Sequence, residues 1–196
     1  MMQLIIISGL IGSGKSTVSK LLEKKGFYYL GADEIAKKIL LGNNKVKKML
    51  IDYFGNSILF KKNISIKKLR TKLIKDQSNK KIIDDIIHPH FFSEINLSLK
   101  KLNNENVVVE LPLLETCKKI LRKYKIIVVD CSLKKRLSRI LKKKKITKSE
   151  FTNINKMQKS RKFYINNANY VLPNNDTMNV LNKRFEKLYT NKLRKK

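Results

Sequence analysis

Residues Gly9 to Ser16 read G-L-I-G-S-G-K-S, a glycine-rich run closed by a lysine and a hydroxyl residue. The spacing G-x-x-x-x-G-K-[ST] suits the phosphates of a nucleotide. Glycines let the backbone turn so that successive N–H groups face phosphate oxygens, and the helix start behind them adds partial positive charge. In such a loop Lys15 bridges the β- and γ-phosphates and the Ser16 hydroxyl ligates Mg2+. Gly12, Ser13 and Gly14 form the turn, and Thr17 sits in the first helical turn near the α-phosphate. The pattern speaks for ATP and Mg2+ but not for the acceptor, because kinases, GTPases and ATPases share it.

Other candidates are thinner on residue type alone. Asp33 follows a short apolar run, where an ionised carboxylate could align an attacking hydroxyl or simply cap the next helix. His88 and His90 form an H-x-H pair without a third ligand at zinc spacing, so they do not read as a metal site. Cys117 and Cys131 form neither a CxxC nor a zinc pattern and read as two buried thiols of a reducing compartment.

These residues need a rigid frame. Leu4 to Ile7 is a continuous apolar run and predicts a buried parallel strand directly before the loop. A helix is expected from about Ser16 to Lys25, ended by Gly26, then a strand over Phe27 to Leu30 and a helix from near Asp33. The segment from about 43 to 104 reads mainly as helices. In it His88-Pro89 opens an amphipathic helix carrying Phe92, Ile95, Leu99 and Leu102. Val107 to Val109, Ile126 to Val129 and Asn169 to Leu172 read as three more strands. Leu133, Leu137, Ile140 and Leu141 predict the buried stripe of the helix between the last two, and a Lys-rich helix closes the chain. Strands alternating with helices give an α/β fold with a parallel sheet covered on both faces.

The 196 residues fit one domain, and 42% hydrophobic content suffices for a core. No run approaches the roughly 18 apolar residues of a membrane span, and M-M-Q-L-I-I-I-S-G reads as a first strand rather than a secretion signal. The charge is extreme: 45 Lys+Arg against 15 Asp+Glu, net +30. A nucleic-acid binder is one reading. The other is drift toward AT-rich codons, since Lys, Asn and Ile dominate and the lysines are spread through every segment. On either reading polyanions such as ATP are attracted, less so at high salt.

In order and spacing the motifs resemble the dephospho-CoA kinase family over nearly the whole chain, to about Asn175. S-G-L-I-G-S-G-K-S-T resembles that family's T-G-G-I-G-S-G-K-S-T, and A-D-E-I-A at Ala32 to Ala36 its A-D-x-I-A. Phe54-Gly55, His88-Pro89, P-L-L-E at Pro112 to Glu115, V-V-D at Val128 to Asp130 and Q-x-x-R at Gln158 to Arg161 complete the series. The resemblance implies a three-layer P-loop kinase fold with a five-stranded parallel sheet. Its core would be about residues 1–42 and 105–190, with a helical acceptor-binding insertion at about 43–104 and a small lid at about 139–150. It implies transfer of the γ-phosphate of ATP, with Mg2+, to the 3′-hydroxyl of dephospho-CoA. Asp33 would accept or orient the hydroxyl proton, Arg139 in the lid would stabilise the transferring phosphoryl group, and His88 would shape the acceptor region. Arg161 would approach the adenine or phosphates, and Asn174 and Asn175 the adenine loop. A cytoplasmic monomer with no membrane and no obligate nucleic-acid partner is expected.

Three positions and the lid depart from the family's pattern. Leu10 replaces a glycine and is expected to crowd the loop mouth. Gly31 stands where an aspartate is common, the lid is lysine-rich, and Asn169 replaces an aspartate. The nearest rival is another small P-loop kinase, acting on a nucleoside monophosphate or a metabolite. A nucleic-acid-binding ATPase, with Val107 to Glu110 as its second nucleotide strand, and an inactive kinase kept as a binding protein are further alternatives.

Overall fold

The structure is a computed structural model that describes residues 3–76, 78–143 and 146–194. Strand β1 (Leu4–Ser8) has all five residues buried and leads through the glycine loop into α1 (Lys15–Glu23). Next come β2 (Tyr28–Gly31), α2 (Ala32–Gly42) and α3 (Asn44–Phe54). A small antiparallel hairpin of β3 (Leu59–Phe60) and β4 (Asn63–Ile64) precedes α4 (Ile66–Lys75) and the long α5 (Ser78–Lys101). The rest of the chain runs β5 (Val107–Glu110), β6 (Lys125–Asp130), α6 (Leu133–Lys142), α7 (Lys148–Met157), α8 (Arg161–Asn166), β7 (Tyr170–Pro173) and α9 (Met178–Leu188).

The five strands β2-β5-β1-β6-β7 form one sheet with every pairing parallel. β1 lies at its centre, with β5 and β2 on one side and β6 and β7 on the other. The crevice beyond the carboxyl ends of β1 and its neighbours is where such sheets place ligands. Alternate strand residues feed two cores. Ile5, Ile7, Val108, Ile127 and Val129 pack with Val18 and Leu22 of α1 and Leu181 and Phe185 of α9. On the other face Leu4, Ile6, Val107, Val109 and Val128 pack with residues of α2 to α5. The helices of 43–104 thus share the sheet's own core, and three layers result.

Four local features differ from what the sequence led us to expect. Pro89 stands inside α5 and does not open a helix. Ile83 and Ile86 extend the buried stripe of Phe91, Phe92, Ile95 and Leu99 backwards, and tertiary burial carries the helix through the proline. The stripe expected on α6 is not the buried one: Leu133 and Leu141 are exposed, whereas Arg136 is only 4% exposed. The hairpin at 59–64 was hidden by its turn, where Lys61 and Lys62 take φ of 45° and 64° without glycine or asparagine. Leu10 does not crowd the loop mouth, because it is buried in the core and does not line the cleft.

Candidate active site

The loop between β1 and α1 is held open from behind. Gly12 (φ 78°) and Gly14 (φ 105°) adopt left-handed backbone that a side chain resists. A Cβ on Gly12 would also strike the Arg136 carbonyl at 2.8 Å, and one on Gly14 would overlap the Asn174 amide. The N–H groups of Gly12, Gly14, Lys15 and Ser16 take no acceptor among the described residues, so the turn presents unmatched donors at a helix start. That is what an anion site requires. The Lys15 ammonium is folded back, donating to the Gly9 carbonyl at 3.0 Å. Burial lowers its pKa, and the nearby Glu110 and Asp33 carboxylates work against that fall.

A cleft of about 960 Å3 opens in front of this loop. Gly12, Gly14, Lys15, Ser16 and Thr17 line one side, while Ala32, Asp33 and Glu34 approach from the start of α2. Asp33 is exposed within the first turn of α2, whose N-cap is Gly31, so its carboxylate does not cap the helix. Ser13 alone of the loop candidates does not line the cleft. It is buried behind the turn, and its carbonyl accepts Asn174 Nδ2 at 2.7 Å and Arg139 Nη1 at 3.4 Å.

Glu110, at the end of β5, is the largest addition to the sequence-based set. Its two oxygens accept Ser16 Oγ at 2.8 Å and the Tyr29 hydroxyl at 3.0 Å. Burial first, then the Glu110 charge, push the Tyr29 phenol well above its usual range, so it stays a proton donor. A signal for Glu110 exists in the sequence: an acidic residue ending an apolar strand, which also fits the second nucleotide strand of an ATPase. Ser16 and Glu110 offer hard oxygen donors at the loop mouth, and these fit Mg2+, which prefers one or two protein oxygens beside phosphate oxygens. No cluster of three or more His, Cys, Asp or Glu residues occurs among the described residues.

The side of the cleft formed by the segment expected to act as a lid is basic. Arg139, Ile140, Lys142 and Lys143 line the cleft from α6 and its end, Ile154 from α7 and Gln158 from the cap that follows α7. Lys144 and Lys145, in the middle of the expected lid, lie outside the described residues. Arg139 also donates to Asn174 Oδ1 at 3.2 Å. Arg136 was not foreseen. Its buried guanidinium bonds the carbonyls of Cys131 and Ile11 and, at 2.8 Å, Asn155 Oδ1 of α7. Gln158 accepts the Ile11 N–H at 2.8 Å, a second tie between α7 and the loop.

Two expected site residues stand elsewhere. Arg161 forms a double hydrogen bond with Asp130, at 2.7 and 2.6 Å, and is not among the cleft-lining residues. His88 lies on α5, outside the cleft lining, 3.5 Å from Asp84 and edge-on to Phe92. Asn174 sits behind the loop as well as lining the cleft, and Asn175 Oδ1 accepts the Ser132 N–H.

A parallel sheet of this order, a phosphate loop on its central strand and carboxylates facing that loop define a small P-loop kinase. The chain belongs to the dephospho-CoA kinase family, whose model matches residues 3–179. A dephospho-CoA kinase of Fusobacterium nucleatum is 34% identical over 194 residues, covering 94% of this chain and 95% of its own. Another, from Gamma-proteobacterium EBAC31A08, is 31% identical and covers 95% of both chains. Among solved structures, TT1252 from Thermus thermophilus has the same fold with a TM-score of 0.81, at 24% identity over 99% of each chain. Dephospho-CoA kinase from Campylobacter jejuni follows at 0.70 and 24% identity, over 97% of this chain and 96% of its own. Shikimate kinase from Acinetobacter baumannii shares the architecture at 0.55 and 16% identity, over 99% of this chain and 97% of its own.

Proposed function

We propose that the protein transfers the γ-phosphate of ATP to the 3′-hydroxyl of dephospho-CoA, giving CoA and ADP. The observation that carries this reading is the shared cleft: Lys15 and Ser16 of the phosphate loop and Asp33 of α2 line one space, in a chain of this family.

The roles follow from the chemistry of each group. The free N–H groups of the loop bind phosphate oxygens, and the Lys15 ammonium leaves the Gly9 carbonyl to meet the nucleotide. The Asp33 side chain is exposed in the cleft lining, where its carboxylate would orient the acceptor hydroxyl. Arg139, Lys142 and Lys143 supply cations from the lid side. Ser16 and Glu110 would hold Mg2+, which when bound neutralises charge on the β- and γ-phosphates. The helices of about 43–104, with His88, would hold the rest of the acceptor, and the segment 139–150 would close over ATP and limit hydrolysis.

We propose that the protein works in the cytoplasm, where its two free thiols would stay reduced. Among the described residues no helix is long and apolar enough to cross a membrane, and both cysteines are free and buried. Transfer of labelled γ-phosphate to dephospho-CoA, compared with AMP, CMP, shikimate and no acceptor, tests the assignment. Transfer to dephospho-CoA alone supports it. Transfer to another acceptor would keep the kinase and discard this substrate.

A further inference from the structure

Gly31 has an extended backbone, φ −89° and ψ 121°, which any residue adopts. Its lack of a side chain therefore needs another reason, and Tyr29 provides it. A Cβ at position 31 would meet the Tyr29 hydroxyl at 2.7 Å and its ring carbons Cε1 and Cζ at 3.1 Å. Residues 29 and 31 of one strand share a face, and side chains lean along the strand, so the Tyr29 ring crosses the bare backbone of Gly31.

The crossing has a destination. In the parallel register Gly31 is the partner of Glu110 on β5. The gap that glycine leaves lies directly beside the Glu110 side chain, and the Tyr29 hydroxyl enters it to donate to Oε2 at 3.0 Å. The other oxygen, Oε1, accepts the Ser16 hydroxyl at 2.8 Å. A glutamate has three side-chain torsions, and two donors on its two oxygens fix all of them. The Ser16 proton is then committed to Glu110, which leaves the lone pairs of Ser16 Oγ for a cation.

We propose that Tyr29 is a positioning residue for the divalent-cation site of the phosphate loop, admitted by Gly31 and acting through Glu110 on Ser16. It touches neither nucleotide nor reacting atoms in this role. The inference rests on the ATP and Mg2+ reading above and adds a residue outside the loop motif. Its structural basis is a cross-strand vacancy, Gly31 opposite Glu110, filled by a phenol from two residues earlier.

The test is Tyr29→Phe, which keeps the ring and removes the hydroxyl. ATP affinity is measured by calorimetry in EDTA and across a Mg2+ titration, without any acceptor, and thermal unfolding is followed in parallel. The expected result is that about ten-fold more Mg2+ is needed to reach full ATP affinity, the usual scale for losing a partner of a metal ligand. ATP affinity in EDTA and the unfolding temperature should be unchanged. Gly31→Ala, which displaces the ring, should give the same shift in Mg2+ requirement. A Mg2+ requirement equal to wild type in Tyr29→Phe overturns the proposal, and so does an equal loss of affinity with and without Mg2+. Wild-type protein whose ATP affinity ignores Mg2+ would overturn both this inference and the metal role on which it rests. Because no acceptor is present, failure of dephospho-CoA as substrate would leave this test readable.

Discussion

Asn174 donates its side-chain amide to the Ser13 carbonyl at 2.7 Å, tying the end of β7 to the back of the phosphate loop. The bond is possible only because Gly14 has no side chain, since a Cβ there would overlap the same amide. Gly14→Ala should therefore fail twice, by the clash and by its φ of 105°. The expected cost is about 2 kcal/mol of stability, together with loss of measurable ATP binding. Gly14→Ala/Asn174→Ala should regain only the steric part. Calorimetry with ATP and denaturant unfolding of the two variants check this, and full recovery in the double variant would show that backbone strain contributes nothing.

Lys15 and Asp33 line one cleft but act on different partners. Lys15→Ala should abolish detectable transfer, because the phosphate loop loses the cation that would meet the β- and γ-phosphates once it leaves the Gly9 carbonyl. Asp33→Asn should lower turnover by about 10²–10⁴-fold, the scale of proton-transfer assistance, while ATP affinity stays near wild type. Single-turnover transfer to dephospho-CoA and ATP calorimetry separate the two effects. Unchanged turnover in Asp33→Asn would remove Asp33 from the chemistry.

Arg136 is buried without a carboxylate of its own. Its guanidinium bridges the Ile11 carbonyl of the loop and Asn155 of α7, and lies 5.8 Å over the Phe151 ring. Burial lowers its pKa, yet an arginine remains charged at neutral pH. Truncation to Met should cost on the order of 3 kcal/mol, and Asn155→Ala about 1 kcal/mol. A double-mutant cycle by urea unfolding should show the two losses to be coupled, as expected for residues in one hydrogen-bond network. Additive losses would mean that Asn155 is not the partner that matters.

The hairpin turn makes a separate, stabilising prediction. Lys61 and Lys62 both hold positive φ, the conformation of a type I′ turn, which asparagine followed by glycine adopts with least strain. Lys61→Asn/Lys62→Gly should raise stability by about 1 kcal/mol and leave ATP binding untouched. A fall in the urea midpoint would show that the lysines contribute interactions larger than their strain.

What the sequence made legible was whatever depends on local pattern. The five strands, the loop, the helix behind it and the position of Asp33 at the mouth all follow from short apolar runs and glycine spacing. What stayed hidden depends on contacts between distant segments. Nothing local marks Arg136 as buried, because its carbonyl partners come from Ile11 and Cys131. Gly31 looked like a lost aspartate until β2 and β5 were in register, and only then did Tyr29 prove to fill its place. Pro89 misled because a long buried stripe outweighs one missing N–H. Arg161 looked free for the nucleotide because its partner, Asp130, is 31 residues away.

His88 gives the protein a pH signature that can be isolated. It is half-buried on α5, and burial lowers its pKa below the usual 6.5. Asp84, 3.5 Å away, and Asp85 pull the other way, while Lys119 from the turn at 114–119 and Lys80 from α5 reinforce the fall. Between its folded pKa and about 6.5, the native state therefore holds fewer protons than the unfolded chain. Stability rises with pH through that window: His88's contribution is complete above it and is lost as the pH falls. The urea midpoint of wild type should thus drop between about pH 7.5 and about pH 5 more steeply than that of His88→Gln, which cannot titrate there. His90 remains in both proteins and cancels in the comparison. Parallel curves would show that the imidazole is as easily protonated in the folded protein as in the unfolded chain. In that case Asp84, rather than burial, would set the charge of His88.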